Sequence, residues 1–216
     1  MKLAAFKDLF PHIHADAWPV LEHWGELLRE WNTKINLISR KDIDALNERH
    51  LVHCLAVTNI LQIKGTAKFL DVGTGGGLPG LPMAICYPQA QFTLIDSVGK
   101  KIQVVRSIAD ALGLKNVSAR QMRAEDLGER FDFITGRAVK NLPEFLSWIG
   151  NNARSGHKHS LANGLLYWKG GAFAEELAST QYAPDQIVDL GAMLNNPYFC
   201  EKYILHFHAD GLNDRR

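Results

Sequence analysis

The stretch Phe69-Leu70-Asp71-Val72-Gly73-Thr74-Gly75-Gly76-Gly77-Leu78-Pro79-Gly80 constrains this chain more than any other. The apolar run 67–72 reads as a short strand with an acid near its end, a glycine loop follows, and 78–87 reads as a helix. Such a unit lets the backbone turn sharply and brings a ligand against the main chain. Gly75-x-Gly77-x-x-Gly80 formally matches the dinucleotide fingerprint. Asp71 weighs against that reading, because a carboxylate at the strand tip repels an anionic pyrophosphate. The same carboxylate suits a cationic ligand. S-adenosylmethionine, with a sulfonium, an ammonium and no phosphate, is therefore the expected cofactor rather than NAD.

At 216 residues the chain can hold one sizeable domain with a modest extension. We expect a helical extension over 1–62, an α/β domain over 63–210 and a frayed tail over 211–216. No run of eighteen apolar residues is present, so no membrane span is expected, and the first ten residues do not read as a signal peptide. Cys54, Cys86 and Cys200 are odd in number and far apart, which fits a reducing, cytoplasmic setting better than a disulfide framework. The net charge of +1 means that any contact with a polyanion must come from a local patch.

Val20, Leu21, Trp24, Leu27, Leu28 and Trp31 fall on one stripe of an amphipathic helix, with Asp16 as its expected N-cap. That spacing assigns the tryptophans to core packing rather than to base stacking. A second helix is expected from about 42 to 61. From Ala67 the rhythm alternates. Strands are expected at 67–72, 91–96, 116–121, 131–136, 164–168, 186–190 and 202–208, and helices at 78–87, 100–112, 143–152 and 172–179. Short strands separated by helices imply a Rossmann-like, doubly wound parallel sheet, closed by an antiparallel hairpin where no helix separates the last strands.

Ligands of open α/β sheets bind at the carboxyl ends of strands. The second strand ends in Asp96, placed to accept both ribose hydroxyls, although a helix cap is an equal reading of that residue alone. The third is followed by Met122-Arg123-Ala124-Glu125-Asp126, where backbone and carboxylate can seat an adenine edge. The fourth runs through Gly136 into Arg137, which could pair with the methionine carboxylate, a substrate base or a phosphate, or bridge to Asp71 as a structural group.

Together these blocks resemble the RsmG (GidB) family of bacterial 16S ribosomal RNA guanine-N7 methyltransferases. The matching residues are Trp31-Asn32-x-x-x-Asn36-Leu37, Arg49-His50, the glycine loop through Gly80-x-Pro82, Asp96-Ser97-x-Gly99-Lys100-Lys101, Ala124-Glu125, Arg137-Ala138 and Lys169-Gly170. The resemblance covers about residues 31 to 170. It implies a class I S-adenosylmethionine-dependent methyltransferase fold, with cofactor contacts at Gly73, Leu78, Ala124, Glu125 and Arg137. Asp71, Gly75 and Asp96 complete the expected cofactor set. His53-Cys54 stand where the family usually has Asp-Ser, and the stretch 151–163, with Arg154, His157, Lys158 and His159, is longer and more basic than usual.

Guanine N7 carries a lone pair and no proton, so attack on a sulfonium methyl needs alignment rather than a general base. Accordingly no acid–base pair stands out, and Arg137 is the expected positioning residue. Between Ser97 and Lys140 nine Lys or Arg face five Asp or Glu. Lys100, Lys101, Arg123, Lys140 and Lys169 are the expected RNA contacts, to 16S rRNA in the small subunit or an assembly intermediate, with the enzyme acting as a monomer. The pairs His12/His14, His157/His159 and His206/His208 lack further ligands at metal spacing, so no metal is expected, and His206 and His208 are expected at a surface or edge.

Overall fold

Leu70 and Val72 point to one side of the first strand, Phe69 and Asp71 to the other, and all four are buried. A strand covered on both faces belongs at the centre of a sheet flanked by two helical layers. The protein, a computed structural model, is described over residues 3–39, 41–137, 139–149, 152–171 and 173–213. Its seven strands are β1 (Lys68–Val72), β2 (Gln91–Asp96), β3 (Val117–Gln121), β4 (Phe133–Arg137), β5 (Gly164–Gly170), β6 (Gln186–Asp189) and β7 (Lys202–His208). They lie in the order β3-β2-β1-β4-β5-β7-β6. β1 to β5 are parallel, and β7 runs antiparallel to both β5 and β6, so the expected reversed edge is present. Register puts Phe69 beside Phe92 and Phe133. The three rings stack at 4.6 and 5.2 Å between centroids.

The helices are α1 (Ala17–Lys34), α2 (Val52–Leu55), α3 (Gly80–Cys86), α4 (Gly99–Ala111), α5 (Leu142–Ile149), α6 (Ala174–Ala178), α7 (Leu190–Leu194) and α8 (Ala209–Asn213). Leu21, Trp24 and Leu28 of α1 are fully buried and join the same apolar cluster as Phe69, Leu81 and Leu94, so the tryptophan stripe is core. Asn32 fastens the turn after α1: its Oδ1 accepts from the amides of Leu37 and Ile38, and its Nδ2 donates to the Ile38 carbonyl. That turn presses Leu37 onto Gly76, where a Cβ would stand 3.2 Å from the Leu37 Cβ. The N-terminal segment thus backs the glycine loop directly.

Several local expectations change. Asp16 occupies the N-cap position of α1 but makes no capping bond; its amide and carboxylate turn to His14 instead. The helix expected over 42–61 is a composite: 3-10 over Ile43–Ala45, π over Leu46–Leu51, then α2, then 3-10 over Ala56–Asn59. The last two strands, expected to have no helix between them, are joined through α7 and a 3-10 turn at Pro197–Phe199. The tail is not frayed from Gly211: α8 continues to Asn213, with Leu212 buried and Asn213 Nδ2 donating to the Ala153 carbonyl. His206 is buried, its Nε2 paired with the Ala162 carbonyl, and is no surface residue. The basic stretch before β5 lies at the amino ends of the parallel strands. There His159 Nδ1 accepts from the Lys64 amide and Ser160 pairs with Gln62 and Ile60, so it straps the N-terminal segment down. Ala138, the ends of the helices expected over 143–152 and 172–179, and residues 214–216 fall partly or wholly outside the described residues.

Candidate functional site

The order in which successive strands are added reverses between β1 and β4, and an open α/β sheet offers its crevice there, beyond the carboxyl ends of the strands. Two cavities open at that rim. The first, of about 460 Å³, is lined by Val72, Gly73, Asp96, Ser97, Val98, Lys101, Met122, Arg123, Ala124, Glu125, Val139, Lys140, Glu144 and Trp148, among others. The second, of about 580 Å³, is lined by the other side of the glycine loop, Gly73 to Gly76 and Leu78, with Leu37, Arg49, His50, His53, Lys101, Arg137, Trp168, Lys169, Gly170, Tyr198 and Lys202. Gly73 and Lys101 belong to both.

The floor between them requires Gly73. Its φ is +65°, and a Cβ there would meet Val139 Cγ1 at 2.8 Å, so a side chain is excluded both by backbone conformation and by space. Asp96 is buried at the edge of the first cavity. Its Oδ2 accepts from the Gly75 amide at 3.0 Å and its Oδ1 from the Val98 amide at 2.9 Å, which fixes the carboxylate. Each oxygen keeps a lone pair for a further donor.

Asp71, expected as a cofactor contact, lines neither cavity. It is 1% exposed and points beneath the loop. Oδ2 accepts from Thr74 Oγ1 at 2.6 Å and from the Gly80 amide at 3.1 Å, while Oδ1 accepts from Thr135 Oγ1 at 2.8 Å. Burial pushes its carboxyl up to about 6, against the pull of these donors and of the nearby Arg137 charge. The argument against NAD survives in a different form. The amide that opens α3, where a pyrophosphate would sit, is already held by Asp71.

The other expected cofactor residues divide between the cavities. Ala124 and Glu125 line the first, Gly75, Leu78 and Arg137 the second, and Gly73 both. Arg137 ends β4 and makes no bridge to Asp71. Its Nη1 donates to His50 Nδ1 at 3.3 Å, and no carboxylate pairs with it among the described residues. Gly136 serves packing rather than ligand approach, since a Cβ there would lie 2.5 Å from the Phe145 ring. His50 is held neutral by burial and then by the Arg137 charge, its pKa pushed down to about 4; burial first, and Arg137 after it, likewise put His53 well below its ordinary value.

The expected RNA contacts are spread over the two cavities. Lys101 and Lys169 face the second cavity, Arg123 and Lys140 line the first, and Lys100 lines neither. Lys169 is tied to Glu176 at 2.7 Å and Lys140 to Glu144 at 3.2 Å. Tyr198 and Lys202 were missed. They sit at this rim because β7 runs backwards: Lys202, its first residue, pairs with Gly170, the last of β5. Among the described residues no Asp or Glu lines the second cavity, whereas Asp96, Glu125 and Glu144 line the first.

A nucleoside-sized cavity at the switch point, beside a glycine loop and a fixed acid at the end of β2, with the order β3-β2-β1-β4-β5-β7-β6 and one reversed strand, defines the class I S-adenosylmethionine-dependent methyltransferases. Solved structures agree on the fold. A point mutant of MtNAS in complex with S-adenosylmethionine superposes with a TM-score of 0.57 at 13% identity, covering 84% of this chain and 72% of that one. The fibrillarin/Nop5p complex gives 0.55 at 10% identity, covering 73% and 79%. Residues 18–188 match the family model GidB, described as rRNA small subunit methyltransferase G. Proteins named ribosomal RNA small subunit methyltransferase G are 47% identical over 180 residues in Flavobacterium johnsoniae, covering 83% of this chain and 85% of that one, and 40% identical over 206 residues in Christiangramia forsetii, covering 95% and 97%. The chain belongs to the rRNA small subunit methyltransferase G family and is an S-adenosylmethionine-dependent methyltransferase.

Proposed function

We propose that this enzyme methylates the N7 atom of a guanine in 16S ribosomal RNA, within the small subunit or a particle on the way to it, in the cytoplasm. One observation carries the reading: an acid-bearing nucleoside cavity and a cationic cavity free of carboxylates meet at Gly73 and Lys101. The first suits the adenosyl group, with Asp96 accepting the ribose hydroxyls and Ala124 and Glu125 at the adenine edge. The second suits a nucleotide of RNA, and Gly73, Leu78 and Arg137 in its lining would hold the methionine end of the cofactor.

The bound cofactor supplies a methyl group on a sulfonium, a good leaving group. Transfer forms the N7–C bond as the S–C bond breaks, the electron pair returning to sulfur. No proton leaves guanine, so none of this chain's residues need act as a base. Their task is alignment, and the neutral state of His50 and His53 keeps the wall from adding charge against the cation that develops on the imidazole ring. Mapping N7-methylguanine in small-subunit RNA from cells lacking this chain tests the reading; a full set of methylated guanines in those cells would refute it.

Two measurements check the parts. Asp96→Ala is expected to weaken S-adenosylmethionine binding by about 1–3 kcal/mol, the scale of a lost pair of charged hydrogen bonds, measured by calorimetry. Affinity equal to that of the parent would confine Asp96 to holding the Gly75 and Val98 amides. Methylation of small-subunit particles is expected to fall steeply with added salt, because phosphate contacts dominate RNA affinity. Efficient methylation of GTP with flat salt dependence would point to a small-molecule substrate instead.

A further inference from the structure

Among the residues that line the second cavity are three to which the reading above gives no role, Arg49, Tyr198 and Lys202. Lys202 Nζ lies 4.2 Å from the centroid of the Tyr198 ring, and Arg49 Cζ lies 5.2 Å from the same centroid. One aromatic ring thus holds two cations that come from opposite ends of the sequence, one from the π-helical turn and one from the start of β7. Arg49 is steadied by Asp42 at 2.7 Å, while Lys202 donates only to the Tyr198 carbonyl, at 2.6 Å, and pairs with no carboxylate among the described residues. Asp42 balances Arg49 alone, so the Lys202 ammonium beside it is left for an anion to complete.

We propose that Arg49, Tyr198 and Lys202 form a cradle for a backbone phosphate of the RNA strand that carries the target nucleotide. This rests on the reading of the second cavity as the RNA side of the site. The cradle adds a strand anchor to that reading: a phosphodiester held here keeps the RNA strand in the cavity to the same degree before and during transfer. Tyr198 acts through the two cations, fixing their direction before RNA arrives. Such preorganisation reduces the ordering cost of long side chains on binding.

The test uses the full chain with small-subunit particles as substrate, with KM and kcat measured across a salt series. Lys202→Ala is expected to raise KM about five- to tenfold at moderate salt and to make the slope of log KM against log salt shallower by about 0.7–0.9, the loss of one phosphate contact. Its kcat and its affinity for S-adenosylmethionine stay within about twofold, since a uniform binding contact is removed. Lys202→Arg restores the slope. Tyr198→Leu shifts KM in the same direction as Lys202→Ala. Lys115→Ala, which removes one exposed charge just before β3 at the opposite end of the sheet, leaves the slope alone. A Lys202→Ala enzyme that keeps its fold, its parent KM and its parent slope would overturn the cradle. So would inhibition by free GTP that Lys202→Ala abolishes without changing the RNA KM, which would assign the phosphate to a nucleotide. Failure of the parent enzyme to methylate any small-subunit RNA would remove the underlying reading before a variant is made.

Discussion

Asp71→Asn is expected to be at least as stable as the parent at pH 7.5 and to keep its affinity for S-adenosylmethionine, while Asp71→Ala loses about 2–5 kcal/mol of stability and most of that affinity. The difference follows from the three donors around the carboxylate. An asparagine Oδ1 can accept from Thr74 and the Gly80 amide. Its Nδ2 can donate to Thr135 Oγ1, whose own hydrogen then turns to the Leu70 carbonyl, 3.4 Å away. Alanine leaves the Thr74 hydroxyl and the Gly80 amide without partners beneath the glycine loop and Thr135 with the Leu70 carbonyl alone, and the loop that forms the floor of both cavities loosens. The pH dependence gives the sign. The native carboxyl titrates at about 6, above its unfolded value, so the native state binds the proton more tightly. The parent therefore loses stability as pH rises from about 4 to about 6 and no further above that window, whereas asparagine does not titrate. Relative to the parent, Asp71→Asn should gain up to about 3 kcal/mol across that window, read from urea unfolding at pH 4.5 and 7.5. A parent more stable than Asp71→Asn at pH 7.5 by over about 2 kcal/mol would mean that the fold uses the charge.

The same residue shows what the sequence did and did not reveal. That an acid ends β1 beside a glycine loop was legible. Its direction was legible too, from a signal left unused: side chains alternate along a strand, so Asp71 shares the face of Phe69, which is core. The sheet was readable because strands buried on both faces are mostly apolar rather than alternating, as the buried stretches of β1, β2 and β4 are. The π-turn was not, because it is a product of packing: bonding from i to i+5 brings Leu46 and Leu51 onto one buried face, a spacing that a period of 3.6 does not favour. Arg49 and His50 were visible as a motif, yet which way they pointed depended on that turn. Lys202 was hidden by a rule applied too narrowly. Carboxyl ends of strands mark the rim in a parallel sheet, but a reversed strand brings its first residue there.

Arg137→Lys is expected to lose about 100-fold in kcat, because a shift of about 1 Å in either reactant is enough for that, while thermal melting moves by no more than about 3 °C. Three features of the site support the separation of activity from fold. The guanidinium has no carboxylate partner among the described residues, so no buried ion pair is broken by the exchange. The core beneath it depends on Gly136, Phe145 and Tyr167, which the substitution leaves untouched. The contact it does make inside the protein, to neutral His50, is one that an ammonium can also make, so the local hydrogen bond alone does not decide the outcome. What lysine cannot reproduce is a planar fork that donates to His50 on one side and to a ligand acceptor on the other at a fixed angle. Calorimetry then says which acceptor that is. If the affinity for S-adenosylmethionine falls along with kcat, the fork grips the methionine carboxylate; if it holds while kcat collapses, the fork grips the base, and guanine O6 beside N7 is the acceptor within reach of that edge. Parent-like methylation by Arg137→Lys would make Arg137 a structural partner of His50 and shift the positioning role to Lys101, the charged side chain that lines both cavities.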